Sequence, residues 1–175
     1  MTQLRLLLVA VLLLVGLPIL SSSASAKTTP TPPCASDQLR LFDSGWFGAG
    51  GMGAMVFDIV NRGARCRIGG YPTVTFVTPQ DFIADGHDLH RPSMFFAEPV
   101  ASTLSLAKGG VGTFGVSWDD NPVGKQTCPV TARAQVVLSR GLGSLSSLLP
   151  INPSPCGGTL SVTSIEPGTW PRQNG

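Results

Sequence analysis

Charge is scarce in this chain. Asp, Glu, Lys and Arg make up 13% of its 175 residues, and their balance is only +2. Nucleic-acid binding needs a concentrated basic face, and the one tight basic group, Arg62, Arg65 and Arg67, reads as a solvated turn at a strand edge. Nucleic acid is therefore not an expected partner. Histidine is limited to His87 and His90, so any Ser-His-Asp or Cys-His enzyme would have to use one of those two imidazoles. No G-x-S-x-G elbow occurs to offer a serine nucleophile. No cysteine pair has the close spacing of a tetrahedral thiolate zinc site. A convincing helical apolar period is missing as well, which leaves little room for a helical fold.

What is present begins with an export signal. Arg5 gives the amino terminus positive charge, and Leu6 to Leu20 is an apolar run broken only by Gly16 and Pro18. That run falls short of the roughly 20 residues of a bilayer span. Ala24-Ser25-Ala26 then places alanine at both positions a signal peptidase reads, so residues 1–26 are expected to be removed before Lys27. No stable membrane span is expected in the mature form. A lipid anchor is disfavoured because Cys34 follows Thr31-Pro32-Pro33 instead of a small-residue stretch. Loss of Arg5 lowers the net charge to +1. The expected location is extracytoplasmic, either secreted or associated with the cell wall.

Four cysteines, Cys34, Cys66, Cys128 and Cys156, all follow the signal. An even number in an oxidising compartment reads as disulfides. Three pairings are open, of which the sequential one, Cys34 with Cys66 and Cys128 with Cys156, closes the shortest disjoint loops and is favoured. Each bridge would contribute roughly 3–4 kcal/mol by restricting the unfolded chain.

Residues 27–33 are polar and proline-rich, and read as a flexible Pro/Thr linker. From Cys34 onward the pattern has a period of two, as in strands with one buried face. Leu39 and Leu41 alternate first, then Met55, Phe57 and Ile59, then Val74 and Phe76. Leu104 and Leu106 precede Lys108-Gly109-Gly110, and Phe114, Val116 and Trp118 follow it, which predicts a hairpin. Ala132, Ala134, Val136 and Leu138 form another strand, and Leu160 with Val162 the last. Segments 80–99 and 141–155 read as loops. About seven short strands with Gly- and Pro-rich connections predict an all-β fold, an immunoglobulin-like antiparallel β-sandwich over residues 34–166 with a C-terminal tail over 167–175.

With the strands placed, several spaced motifs stand out. They are Cys34; Asn61-Arg62-Gly63 before Cys66-Arg67-Ile68-Gly69-Gly70-Tyr71-Pro72; Leu106-Ala107-Lys108-Gly109 before a strand ending in Trp118; Cys128; and Cys156-Gly157-Gly158. In these the chain resembles the secreted actinobacterial family called domain of unknown function 4232. Lys108 departs from that pattern, where proline tends to precede glycine. The resemblance implies a secreted or surface-attached β-sandwich and carries no catalytic residue. Physically, Cys66 would tie its strand to the start of the domain, Gly69 and Gly70 would let the chain turn, and Pro72 would fix φ at the next strand. Tyr71 reads as a core or corner residue.

The candidate sites are few. Gly48-Ala49-Gly50-Gly51-Met52-Gly53 satisfies G-x-G-x-x-G, but strand residues follow it and position 73 is threonine, so it reads as a loop and not a nucleotide cradle. His87 and His90, flanked by Asp85 and Asp88, are the metal candidates, although residues three apart on a strand point to opposite faces. Asp119-Asp120 is the one conspicuous carboxylate pair and reads as a turn. Trp46, Phe47, Phe95, Phe96 and Trp170 read equally as an aromatic recognition surface or as rings packed over an open end of the sandwich. The expectation is a non-enzymatic binding or structural module of the cell envelope, with no cofactor and an envelope or extracellular partner. The alternative is a secreted hydrolase or metalloenzyme using His87 or His90.

Overall fold

The computed structural model describes residues 29–84, 87–97, 100–122, 124–125 and 127–168. The signal segment 1–26, residues 27–28, and the tail from 169 with Trp170 lie outside the described residues. Twelve strands order what is described: β1 (Leu39–Ala49), β2 (Met52–Asn61), β3 (Cys66–Gly69), β4 (Thr73–Val77), β5 (Ile83–Ala84), β6 (His87–Leu89), β7 (Thr103–Leu106), β8 (Val111–Asp119), β9 (Arg133–Val137), β10 (Ser144–Leu148), β11 (Cys156–Val162) and β12 (Glu166–Pro167).

The larger sheet has the order β1-β2-β8-β11-β6, with β12 also on β8, and the smaller one has the order β10-β9-β4-β5. A two-stranded sheet, β3-β7, stands beside them. Alternation dictates what meets between the layers. Met55, Phe57 and Ile59 of β2 and Phe114, Val116 and Trp118 of β8 are buried in one core with Val74, Phe76, Ala134 and Val136 of the smaller sheet. Phe57 stacks on its register partner Phe114 with centroids 5.3 Å apart, and Phe76 meets Trp118 edge-on, also at 5.3 Å, across the sheets. The protein is thus an all-β, largely antiparallel sandwich. Its two disulfides pair the cysteines in chain order, Cys34–Cys66 and Cys128–Cys156.

One expected feature is corrected. β7 and β8 do not form a hairpin: β7 pairs with β3, while β8 pairs with β2 and β11. The cause is Asn61, a fully buried carboxamide at the end of β2. Its Nδ2 donates to the carbonyls of Ala64, Leu106 and Ala107 at 2.8, 3.0 and 3.2 Å, and its Oδ1 accepts the Gly63 N–H at 2.9 Å. The Asn61 backbone exchanges bonds with Gly109 and Gly110 as well. These contacts hold Leu106 and Ala107 away from β8, so the Lys108-Gly109-Gly110 turn becomes a corner between sheets.

Segments read as loops also contain strands. β5 and β6 lie in 80–99, and β10 lies in 141–155. They escape the alternation test because they are short or bury little: in Ser144–Leu148 only Leu145 is buried. β6 pairs with β11 in parallel, the exception among the strand ladders. The lead-in is tied down over its last residues. The Arg67 N–H donates to Pro32 O at 2.7 Å and the Cys34 N–H to Arg67 O at 2.9 Å, so Pro33 runs parallel to β3. A polar, proline-rich segment is held there because β3 has an open edge to offer and the adjacent disulfide fixes Cys34 beside it.

Replacing Asn61 with Ala would remove the side-chain donor from the buried Leu106 carbonyl and from the part-buried carbonyls of Ala64 and Ala107. Asn61→Ala is expected to destabilise the protein by about 2–4 kcal/mol. Denaturant unfolding of the oxidised protein measures this, and a loss below about 0.5 kcal/mol would contradict the role given to Asn61.

Candidate functional site

The G-x-G-x-x-G match is the turn of the β1–β2 hairpin. Gly50 and Gly51 both have positive φ, 60° and 78°, as a two-residue hairpin connection demands. Behind the turn, Gly48 and Gly53 face each other in the ladder. A side chain at Gly53 would fall 2.4 Å from the Trp118 ring, so glycine there is what lets the indole lie flat and buried at 3% exposure.

Trp118 needs a partner for its buried N–H and finds it in the Asp120 carboxylate. The Asp120 N–H donates to Gly51 O at 2.8 Å, and the Asn121 N–H donates to the Asp119 carboxylate at 2.8 Å. Asp119-Asp120 is therefore a turn clasped to the hairpin. Partial burial raises the Asp120 pKa above its usual 3.8; the indole hydrogen bond opposes this and the neighbouring Asp119 charge adds to it.

A second apolar cluster covers the outer face of the larger sheet, where Ala54, Val56 and Phe96 are buried with Phe47 and Phe95 packed against them. Phe96 is 3% exposed and lies over Gly115, 2.7 Å from where a Cβ would stand. Ser93 shapes this segment by accepting the N–H groups of Phe95 and Phe96 at 3.2 Å each. Phe47 and Phe95 stack with centroids 6.4 Å apart and are half-buried. Of the aromatic candidates among the described residues, Trp46 projects most, at 57% exposure.

Met94 joins this edge. It is 61% exposed, and its methyl lies 3.8 Å from the place a Cβ would take at Gly50. Sequence reasoning passed over Met94, although its position beside Phe95-Phe96 was the available signal. The structure therefore brings Phe47, Phe95 and Met94 together around the hairpin, and leaves Phe96 as their foundation.

His87 and His90 flank Asp88 at β6. The His87 side chain lies outside the described part, as do Asp85 and Gly86. The His90 ring rests on Tyr71 with centroids 4.1 Å apart. Asp88 accepts the Val74 N–H at 3.0 Å and so ties the larger sheet to the smaller. Among the described residues, no three His, Cys, Asp or Glu side chains gather as a metal site would need. The three arginines of the basic group each make a contact of their own: Arg62 lies over the Phe42 ring at 5.9 Å, Arg65 reaches Ser105, and Arg67 donates to Thr31 O.

Compared with known families, residues 34–166 match the model of a domain of unknown function (DUF4232). The chain belongs to that family. The matched span opens on Cys34 of the first disulfide and closes on Glu166 of β12, so the DUF4232 domain takes in all three sheets and both bridges. No curated protein and no solved structure matches the chain.

The raised Asp120 pKa has a definite sign in the DUF4232 domain. Protonation favours the folded state, so this carboxyl's contribution is full below the unfolded value and is lost as pH rises through the folded one. Asp120→Asn keeps an acceptor for the indole and is expected to abolish that loss. Thermal unfolding from about pH 3 to 6 tests it, and equal slopes in both proteins would rule it out.

Proposed function

We propose that this protein is exported and acts as a non-enzymatic binding module of the cell envelope, using the apolar hairpin that carries Trp46 on one face and Phe47, Phe95 and Met94 on the other. Two disulfides in one small domain fit an oxidising compartment. Among the described residues no helix is long and apolar enough to cross a membrane, which suits a released or wall-associated protein.

The observation that carries the binding role is the construction at the hairpin. Met94, 61% exposed, adjoins a stacked Phe47–Phe95 pair that is anchored on Phe96 and Gly115, and Trp46, 57% exposed, projects from the opposite face of the same hairpin. Large apolar side chains held on a rigid foundation lose little conformational entropy on binding, and tryptophan is the side chain that most often dominates an interface. The alternative, a secreted hydrolase or metalloenzyme using His87 or His90, gains nothing from the stacking of His90 on Tyr71.

The test is sedimentation of the purified protein with isolated cell envelopes of the producing organism. Saturable binding is expected, and Trp46→Ala should weaken it by about tenfold or more while leaving the unfolding midpoint unchanged. Binding that is absent, or indifferent to Trp46, would overturn the proposal.

A further inference from the structure

Away from the hairpin, the cysteine-glycine motif builds a second concave site. Once Pro33 has passed Arg67, the amino-terminal segment leaves β3, and two residues without side chains, Gly69 and Gly70, follow on the uncovered edge. The space is a cleft of about 180 Å³ lined by Arg67, Gly69, Gly70, Ser102, Ser139 and Leu142, with Pro33 at its rim. That volume is several times the roughly 30 Å³ share of one liquid water.

Neither glycine is replaceable without closing the cleft or straining the chain. A Cβ on Gly69 would fall 2.0 Å from Ser102 O, and Gly70 has φ +81° with Ser139 3.0 Å from its missing Cβ. Ser139 donates its hydroxyl to Gly69 O, and the Gly70 N–H donates to Ser102 O at 3.3 Å, so the walls are rigid.

The charges are distributed unequally. Among the described residues, Arg67 supplies the one charged side chain of the cleft. Its Nε is used in orienting the guanidinium on Thr31 O, and among the described residues no carboxylate pairs with it. A shallower groove continues past Pro33 and Leu142 to Asp37, whose negative charge disfavours an anion at that end. Leu142 and the Pro33 ring offer apolar surface between the two.

We propose that this cleft binds a small apolar carboxylate, with its anionic head on the Arg67 guanidinium and its hydrocarbon body against Leu142 and Pro33. A guanidinium presents paired donors that match a carboxylate in geometry, and an apolar wall beside it strengthens the pair by excluding water. This site is independent of the aromatic edge, so either can fail alone.

The experiment uses a matched pair of probes, 4-methylpentanoate and 4-methylpentanamide, titrated into the purified, oxidised protein while backbone amide NMR signals are followed. The carboxylate is expected to shift the Gly69, Gly70 and Ser102 signals saturably, and the neutral amide to bind at least about tenfold more weakly. Arg67→Gln should reduce carboxylate affinity by the same factor. It should fold, because the bonds between Arg67 and the Pro32–Cys34 segment that define the local pairing are made by backbone. Leu142→Asp, which puts a like charge in the wall, serves as a second variant and should abolish binding. Equal binding of acid and amide, no saturable shift with either, or carboxylate binding unchanged in both variants would overturn the assignment.

Discussion

One buried carboxamide decides how this chain is connected. Asn61 stands at the end of β2 and satisfies backbone groups from the turn after it and from the end of β7, 45 residues away. Leaving the buried Leu106 carbonyl without this donor would cost more than a single hydrogen bond contributes, so the corner favours a side chain of this shape. With Leu106 and Ala107 captured, β7 is free to pair with β3, and the Cys34–Cys66 disulfide pins that small sheet to the start of the domain. The cleft beside β3 depends on that arrangement.

Glycine performs a second structural role, as the floor beneath large rings. Trp118 over Gly53 and Phe96 over Gly115 repeat one solution on the two faces of the larger sheet: removing a Cβ lets an aromatic ring lie against the backbone. On the inner face this completes the core against Phe76. On the outer face it seats the segment that supports Phe95 and displays Met94. The exposed edge is consequently built from within the fold and does not hang on a loose loop.

Two surfaces of different chemistry result, one with exposed apolar side chains at the hairpin, the other a cleft beside the amino-terminal segment to which, among the described residues, Arg67 brings the charge. Their elements are separate: β1, β2 and the segment near Phe95 form the first, and β3 with the approaches to β7 and β10 forms the second.

Much of the fold was legible in the residues themselves. The period-two runs around Phe57, Phe76, Phe114 and Val136 marked the core strands because a half-buried strand must alternate, and four cysteines sorted themselves in chain order because short loops close most readily. The aromatic candidates were legible as types but not as orientations, since Phe95 and Phe96 are neighbours and only packing against Gly115 chose which one to bury. Strands β5, β6 and β10 were not legible, being too short or too polar to carry a pattern, and neither was the partner of β7. Local sequence determined which segments extend, which cysteines are available and which rings seek shelter. Tertiary structure alone decided which strands meet and which surfaces stay open, because those outcomes rest on a carboxamide and a few missing Cβ atoms acting across dozens of residues.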